Sequence, residues 1–336
     1  MSLKKINNFF SVIAFSFFLT MFYQNCGTAD INQSDFDKWL VSFKKIALKK
    51  GISQETISIT LGNVKYLENV IKYDRKQPEF FEDTITYISK RANQKRIKSA
   101  RKLLNKNKAL LNDIENNFNV EKEILLSLWG IETNFGRHVG KMDIISSLAT
   151  LSFDKRRSKF FSFQLITLLK LIDKKIVDPE KLFGSWAGAY GNFQFMPTTI
   201  SNYAIDYDND NKIKLKDSLH DSFASAANYI NKIGWKKGEP CFTQVKLTKK
   251  IKNKYLNKSA RSIKYKFDAS SWKKMGIVNL DGSEIKNNFK SALIIPDGNE
   301  KSPAYLVFEN YEKILKWNRS LRFGITVCTL SKKIKT

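Results

Sequence analysis

The sequence predicts a mainly α-helical protein that ends in a small α/β unit. Two observations predict it. From Ser34 to about residue 240, apolar residues recur at three- and four-residue spacing, as on one face of a helix. Beyond Cys241, short stretches alternate at period two, as on half-buried strands. No repeat of fixed period is visible. The expected divisions are a leader over 1–29, an N-terminal helical region over 30–120, a helical core over 121–240 and the α/β unit over 241–336.

Residues 1–29 read as an export signal. Lys4 and Lys5 precede an apolar run from Phe9 to Phe22 that is short for a membrane span. Gly27 and Ala29 stand at −3 and −1 of a cleavage point before Asp30, and Cys26 offers the alternative of lipid attachment. Either route means export to the periplasm, with no membrane span left in the mature chain.

In the N-terminal region Phe36, Leu40, Phe43 and Ala47 trace one helical face, and Gly51 closes that helix. Ser53 to Leu61 reads as a second, short helix. Pro78, within Asp74-Arg75-Lys76-Gln77-Pro78-Glu79-Phe80, favours a turn. A further helix carries Tyr87, and Arg91 to Leu111 continues in basic helical spacing.

The stretch Trp129-Gly130-Ile131-Glu132-Thr133-Asn134-Phe135-Gly136 reads as a helix ending, with Asn119 as the expected N-cap and Gly136 at the C′ position. Leu125, Leu128, Glu132 and Phe135 fall on one face, so a carboxylate sits on the apolar stripe in the last turn. Burial and the negative helix end both disfavour its charge, which is what a general acid needs.

Helices are expected over Asp143 to Leu151 and from Phe160 through Leu169. Between Gly184 and Pro197 lies a loop with three glycines in eight residues, which allows a ligand close backbone approach. It lacks the lysine and spacing of a phosphate loop. Asp206 to Asp217 fits a twelve-residue calcium loop in outline. Asp206, Asp208, Asp210 and Asp217 occupy ligand positions, with Asn211 where glycine is usual and Lys212, Lys214 and Lys216 weakening the field. The loop is a candidate site for a structural calcium ion. In the C-terminal unit, strands are expected at Phe242–Leu247, Ser291–Pro296, Ala304–Phe308 and Phe323–Leu330, with a short helix from Tyr311 to Lys316.

The chain holds 58 Lys and Arg against 32 Asp and Glu, a formal net charge of +26. Such a charge suits nucleic acid, an anionic membrane or an acidic polymer. The lysines are spread evenly, no basic stripe interleaves with aromatics, and export removes most nucleic-acid roles, so no nucleic-acid partner is expected. Two histidines leave little for a histidine metal site or a Ser-His-Asp triad. Cys241 and Cys328 form an even pair after signal cleavage, and an oxidising compartment permits one disulfide.

Together these residues resemble the lytic murein transglycosylase B family, whose catalytic core is lysozyme-like. The resemblance runs from about Phe36 to Ile334. It rests on Trp129 to Gly136, the loop Gly184 to Pro197, Asn228-Tyr229, Leu151 to Arg157, and Asn310-Tyr311 with Trp317-Asn318-Arg319-Ser320. It implies cleavage of the β-1,4 bond between N-acetylmuramic acid and N-acetylglucosamine without water, leaving 1,6-anhydro ends. Glu132 would be acid and then base, with no cofactor required. By position it implies saccharide contacts at Ser185, Gln194, Tyr87 and Tyr229, and peptide contacts at Arg156 and Arg157. A polar pair, Asn318 and Ser320, would come from the C-terminal ending. Trp317 and Phe323 stand where some members have tyrosines. A monomer acting on peptidoglycan strands is expected.

Three alternatives stand beside this reading. A water-using muramidase would need a second carboxylate, for which Asp143 and Asp154 are the candidates. A non-catalytic wall-binding protein would keep the cleft without the chemistry. A basic polymer binder would bind in a salt-sensitive way without cleaving.

Overall fold

The computed structural model describes residues 33–75, 82–299 and 301–336. The leader with Cys26, and Pro78 with its neighbours, lie outside the described residues. The chain begins with α1 (Gln33–Lys49), whose buried residues are Phe36, Leu40, Phe43 and Ala47, the face expected from the spacing. Next come α2 (Gln54–Leu61), α3 (Glu68–Arg75), α4 (Thr84–Arg91), α5 (Gln94–Lys106) and α6 (Lys108–Phe118). The basic stretch from Arg91 to Leu111 is therefore two helices, broken at Asn107.

Then come α7 (Lys122–Thr133), the two-residue strand β1 (Met142–Asp143), α8 (Ile144–Phe153) and α9 (Ser158–Asp173). Strand β2 (Phe183–Gly184) pairs antiparallel with β1, Met142 opposite Gly184. Helices α10 (Pro197–Tyr203) and α11 (Leu219–Lys232) complete the helical body. Short polar residues start many of these helices. Ser53, Asp83, Asn93, Asp143 and Ser218 each accept a hydrogen bond from a backbone N–H one turn on.

Asn119 is not the N-cap of α7. It ends α6 in the left-handed conformation (φ 54°), and α7 starts after Glu121. Asparagine tolerates that conformation, so the same residue type serves at either helix end.

The C-terminal unit contains β3 (Phe242–Leu247), α12 (Ala269–Lys274), β4 (Ile277–Asn279), β5 (Ala292–Ile294) and β6 (Ala304–Val307). The strands form one antiparallel sheet in the order β4-β3-β6-β5. Period-two alternation splits its residues between two cores. Val245, Leu293, Ala304 and Leu306 pack with Trp272. Ala292, Ile294, Tyr305 and Val307 pack with Tyr311, Leu315, Leu321 and Ile325.

Those last four belong to α13 (Glu309–Trp317) and α14 (Leu321–Lys335). The expected final strand at Phe323–Leu330 is thus a helix. Its β-branched and aromatic run suggests a strand, yet Ser320 caps a helix there and the residues from Phe323 to Cys328 are all buried. A helix enclosed on all sides shows no polar face to reveal its period. Phe323, Val327, Leu330 and Ile334 join the core that contains Leu125 and Leu128 of α7. After β6 the chain thus returns to the helical body through α14.

Candidate active site

Helix α7 is apolar all round, with every residue from Ile124 to Gly130 buried. Its last turn carries Glu132, which is half-buried. The turn that follows is unusual. Asn134, Phe135 and Gly136 take φ values of 50°, 61° and 78°, so the left-handed reversal begins two residues before the glycine expected to make it. A phenylalanine is rarely found there. Phe135 is not on the helical stripe at all. Its ring folds back over Gly130, where an added Cβ would lie 2.8 Å from it, and meets Trp129 edge-on at 5.6 Å.

The freed backbone groups at this helix end are paired. Asn134 N donates to Gly130 O (3.1 Å), Phe135 N to Trp129 O (3.2 Å) and His138 N to Thr133 O (2.9 Å). The buried Thr133 hydroxyl donates to Asn192 O (2.8 Å) and accepts from Gly136 N (3.0 Å). Trp129 Nε1 donates to Asn192 Oδ1 (3.0 Å), and Asn192 Nδ2 donates to Lys216 O (2.8 Å). Asn192 therefore ties the glutamate helix to the glycine-rich loop and to the segment before α11.

Within that loop Ser185 Oγ accepts from Ala189 N at 2.9 Å and is half-buried. Gln194 sits at φ 50° and donates from Nε2 to Val139 O (3.1 Å) and Gly191 O (2.9 Å). Its amide thus locks the loop onto the turn after Glu132.

From the other side comes the end of α13. Trp317 Nε1 donates to Glu132 Oε1 at 2.9 Å, across 185 residues of sequence. The indole stacks on Tyr229 (5.1 Å, 23°), which stacks in turn on Tyr203 (4.4 Å, 23°). Phe195 and Phe193 meet its edge at 5.4 and 6.1 Å. Tyr229 Oη donates to Lys316 O (3.1 Å), and burial pushes that phenol up to about 12, so it stays protonated. Asn318 is exposed beside Trp317, whereas the Ser320 hydroxyl caps α14 by accepting from Phe323 N (3.2 Å). Sequence reasoning did not assign Trp317 to the site, because its partner lies on a distant element.

Other expected contacts are placed differently. Tyr87 is 5% exposed, with the Arg91 guanidinium 3.6 Å above its ring, which suits a core residue more than a sugar platform. Arg156 and Arg157 turn to Asp74. Arg156 Nε lies 3.3 Å and Arg157 Nη1 3.6 Å from its carboxylate, and Arg75 reaches it at 3.1 Å. Asp154 is held by Arg75 (2.8 Å), and Asp143 caps α8 through Ser146 N (2.8 Å).

In the acidic loop Asp206, Asp208 and Asp210 offer carboxylate oxygens within 4.8 Å of one another, while Asp217 is not part of that group. Asn211 takes the left-handed turn at φ 65°. Lys214 Nζ pairs with Asp210. The donors fit a hard cation of low affinity, with the ammonium competing for one of them. Cys241 and Cys328 form a disulfide with Cα atoms 6.1 Å apart. It joins the start of β3 to α14, a helix and not the strand expected for Cys328.

This mainly helical fold with its small antiparallel sheets is that of the lysozyme-like lytic transglycosylases. Residues 35–332 match the family described as Transglycosylase SLT domain, and the chain belongs to that family. It is 32% identical over 218 residues to the membrane-bound lytic murein transglycosylase B of Escherichia coli K12. That match covers 65% of this chain and 58% of the relative, so the chain spans under two thirds of that protein's length. SltB3 of Pseudomonas aeruginosa, solved with NAG-anhNAM-pentapeptide, superposes with a TM-score of 0.81 at 31% identity, over 89% of this chain and 79% of that one. Slt35 of E. coli, solved with calcium, gives 0.75 at 26%, over 90% and 93%.

Proposed function

We propose that this chain is a lytic transglycosylase of peptidoglycan, cleaving the β-1,4 bond between N-acetylmuramic acid and N-acetylglucosamine with Glu132 as sole acid and base. Glu132 protonates the leaving oxygen as the glycosidic bond breaks. The muramyl C6 hydroxyl then attacks the anomeric carbon and gives its proton back to Glu132, which closes a 1,6-anhydro ring without water. The observation that carries this reading is the placement of carboxylates. Glu132 is held at the junction of three elements, while Asp143 and Asp154 are spent on a helix cap and an arginine cluster. A hydrolytic glycosidase needs a second carboxylate at the sugar.

Ser185, Gln194, Tyr229, Asn318 and Ser320 are the proposed saccharide-side residues, as they lie on the elements that converge on Glu132. One relative, SltB3, solved with NAG-NAM-pentapeptide, supports glycan strands with stem peptides as the ligand class. The chain would act after export, at the cell wall, either soluble or anchored through Cys26. No helix among the described residues is long and apolar enough to cross a membrane. A structural calcium ion at Asp206, Asp208 and Asp210 is proposed on the same footing.

The test is digestion of purified murein by the mature protein and by Glu132→Gln, with the released ends weighed. Anhydro ends are lighter than hydrolysed ends by one water. We expect anhydro ends from wild type and a rate at least ~10²-fold lower for Glu132→Gln. Hydrolysed ends would assign a muramidase, and binding without cleavage a wall-binding protein.

A further inference from the structure

We propose that Trp317 is a positioning residue for Glu132: its indole N–H holds Oε1 as a permanent acceptor, so the proton that moves in both steps travels on Oε2. The role rests on the acid–base reading of Glu132 given above. An indole N–H donates, cannot accept, and does not titrate in the working range. With Nε1 at 2.9 Å, Oε1 must present a lone pair whether Glu132 is charged or neutral. In a neutral carboxyl the carbonyl oxygen is a better acceptor than the hydroxyl oxygen, so the indole favours Oε1 as the carbonyl and the proton on Oε2. In the first step the Oε2–H bond breaks, the proton goes to the leaving sugar oxygen, and that oxygen keeps the electron pair of the glycosidic bond. In the second step the C6 hydroxyl gives its proton to Oε2 as its oxygen bonds to the anomeric carbon. The glutamic acid is regenerated with the same oxygen loaded.

The direction of the indole N–H is itself fixed by packing. Tyr229 covers the ring, Tyr203 backs Tyr229, and Phe193 and Phe195 hold the edge. The Tyr229 hydroxyl pins the carbonyl of Lys316, the residue before Trp317. Turning the ring would break the stack, so the donor cannot swing away from Glu132. These aromatics come from α10, α11 and the glycine-rich loop, which makes carboxylate orientation a property of the assembled fold.

Two variants and one resonance test this. Trp317→Phe keeps a stacking ring and loses the donor, and Trp317→Tyr keeps both a ring and a donor. On purified murein we expect Trp317→Phe to lower kcat roughly ten- to a hundredfold with KM within about twofold, since misorientation of a reacting group costs that much. Trp317→Tyr should recover most of the loss. In the intact protein labelled at tryptophan nitrogen, the Nε1–H resonance absent from Trp317→Tyr should move when Glu132 is replaced by Ala. That measurement needs no activity and does not depend on Trp317→Phe folding. Equal losses in the two Trp317 variants would assign the effect to ring packing and overturn the proposal. So would unchanged turnover in Trp317→Phe, or a resonance indifferent to Glu132→Ala. A wild-type protein that leaves murein intact would instead overturn the transglycosylase reading, and this role with it.

Discussion

The hydroxyl of Thr133 donates to the carbonyl of Asn192 at 2.8 Å, fastening the residue after Glu132 to the glycine-rich loop 59 positions away. The same oxygen accepts from Gly136 N, so one buried side chain holds both the helix end and the loop. Thr133→Val keeps the shape and removes these bonds and the hydroxyl's contact with Trp129 O at 3.2 Å, leaving a buried carbonyl without its donor. We expect a loss of about 2 kcal/mol in urea unfolding and a fall in murein cleavage. Thr133→Ser, which keeps the hydroxyl, should retain the activity. Equal activity in the two variants would show that the hydroxyl is not needed.

The Cys241–Cys328 disulfide closes a span of 87 residues and ties β3 to the helix that packs on α7. In the chain-entropy view such a cross-link is worth on the order of 4 kcal/mol. Thiol titration of the denatured, unreduced protein from an oxidising compartment should find no reactive pair from these positions. The reduced protein, or a Cys241→Ser, Cys328→Ser variant, should melt several degrees lower.

Asp74 has no exposed side-chain surface and faces Arg75, Arg156 and Arg157, each about two-fifths exposed. Asp74→Ala should cost roughly 2 kcal/mol, less than the ~3–5 kcal/mol of a fully buried pair because the arginines reach water. Arg157→Ala should weaken the fold without discriminating between peptide-bearing and peptide-free glycan. A selective loss on peptide-bearing murein would restore the stem-peptide role expected from the family resemblance.

Calcium should raise the melting midpoint only at high concentration, because Lys214 occupies part of the coordination shell offered by Asp206, Asp208 and Asp210. Lys214→Ala should enlarge the shift at the same calcium concentration, and a chelator should abolish it in both proteins. Identical midpoints in calcium and chelator for both would rule out an ion at this loop.

Much of this was legible in the chain. The buried face of α1, the helices beginning near Ser53 and Asp143, the strands β3, β5 and β6, and the glutamate in the last turn of α7 could all be read. Each depends on spacing of two to four residues or on a side chain bonding the next turn, and such relations are written in neighbouring letters. Tertiary structure alone decided the rest. Phe323 to Leu330 became a helix because burial on every side outweighs β-propensity. Arg156 and Arg157 turned to Asp74, which lies some eighty residues earlier in the chain. Above all, Glu132 accepts a hydrogen bond from Trp317, 185 residues later, whose ring lies in an aromatic stack assembled from three other segments. The sequence by itself determined the glutamate and the helix that carries it. Which oxygen faces which donor is a matter of a few ångströms between distant segments, and only the packed core brings them together.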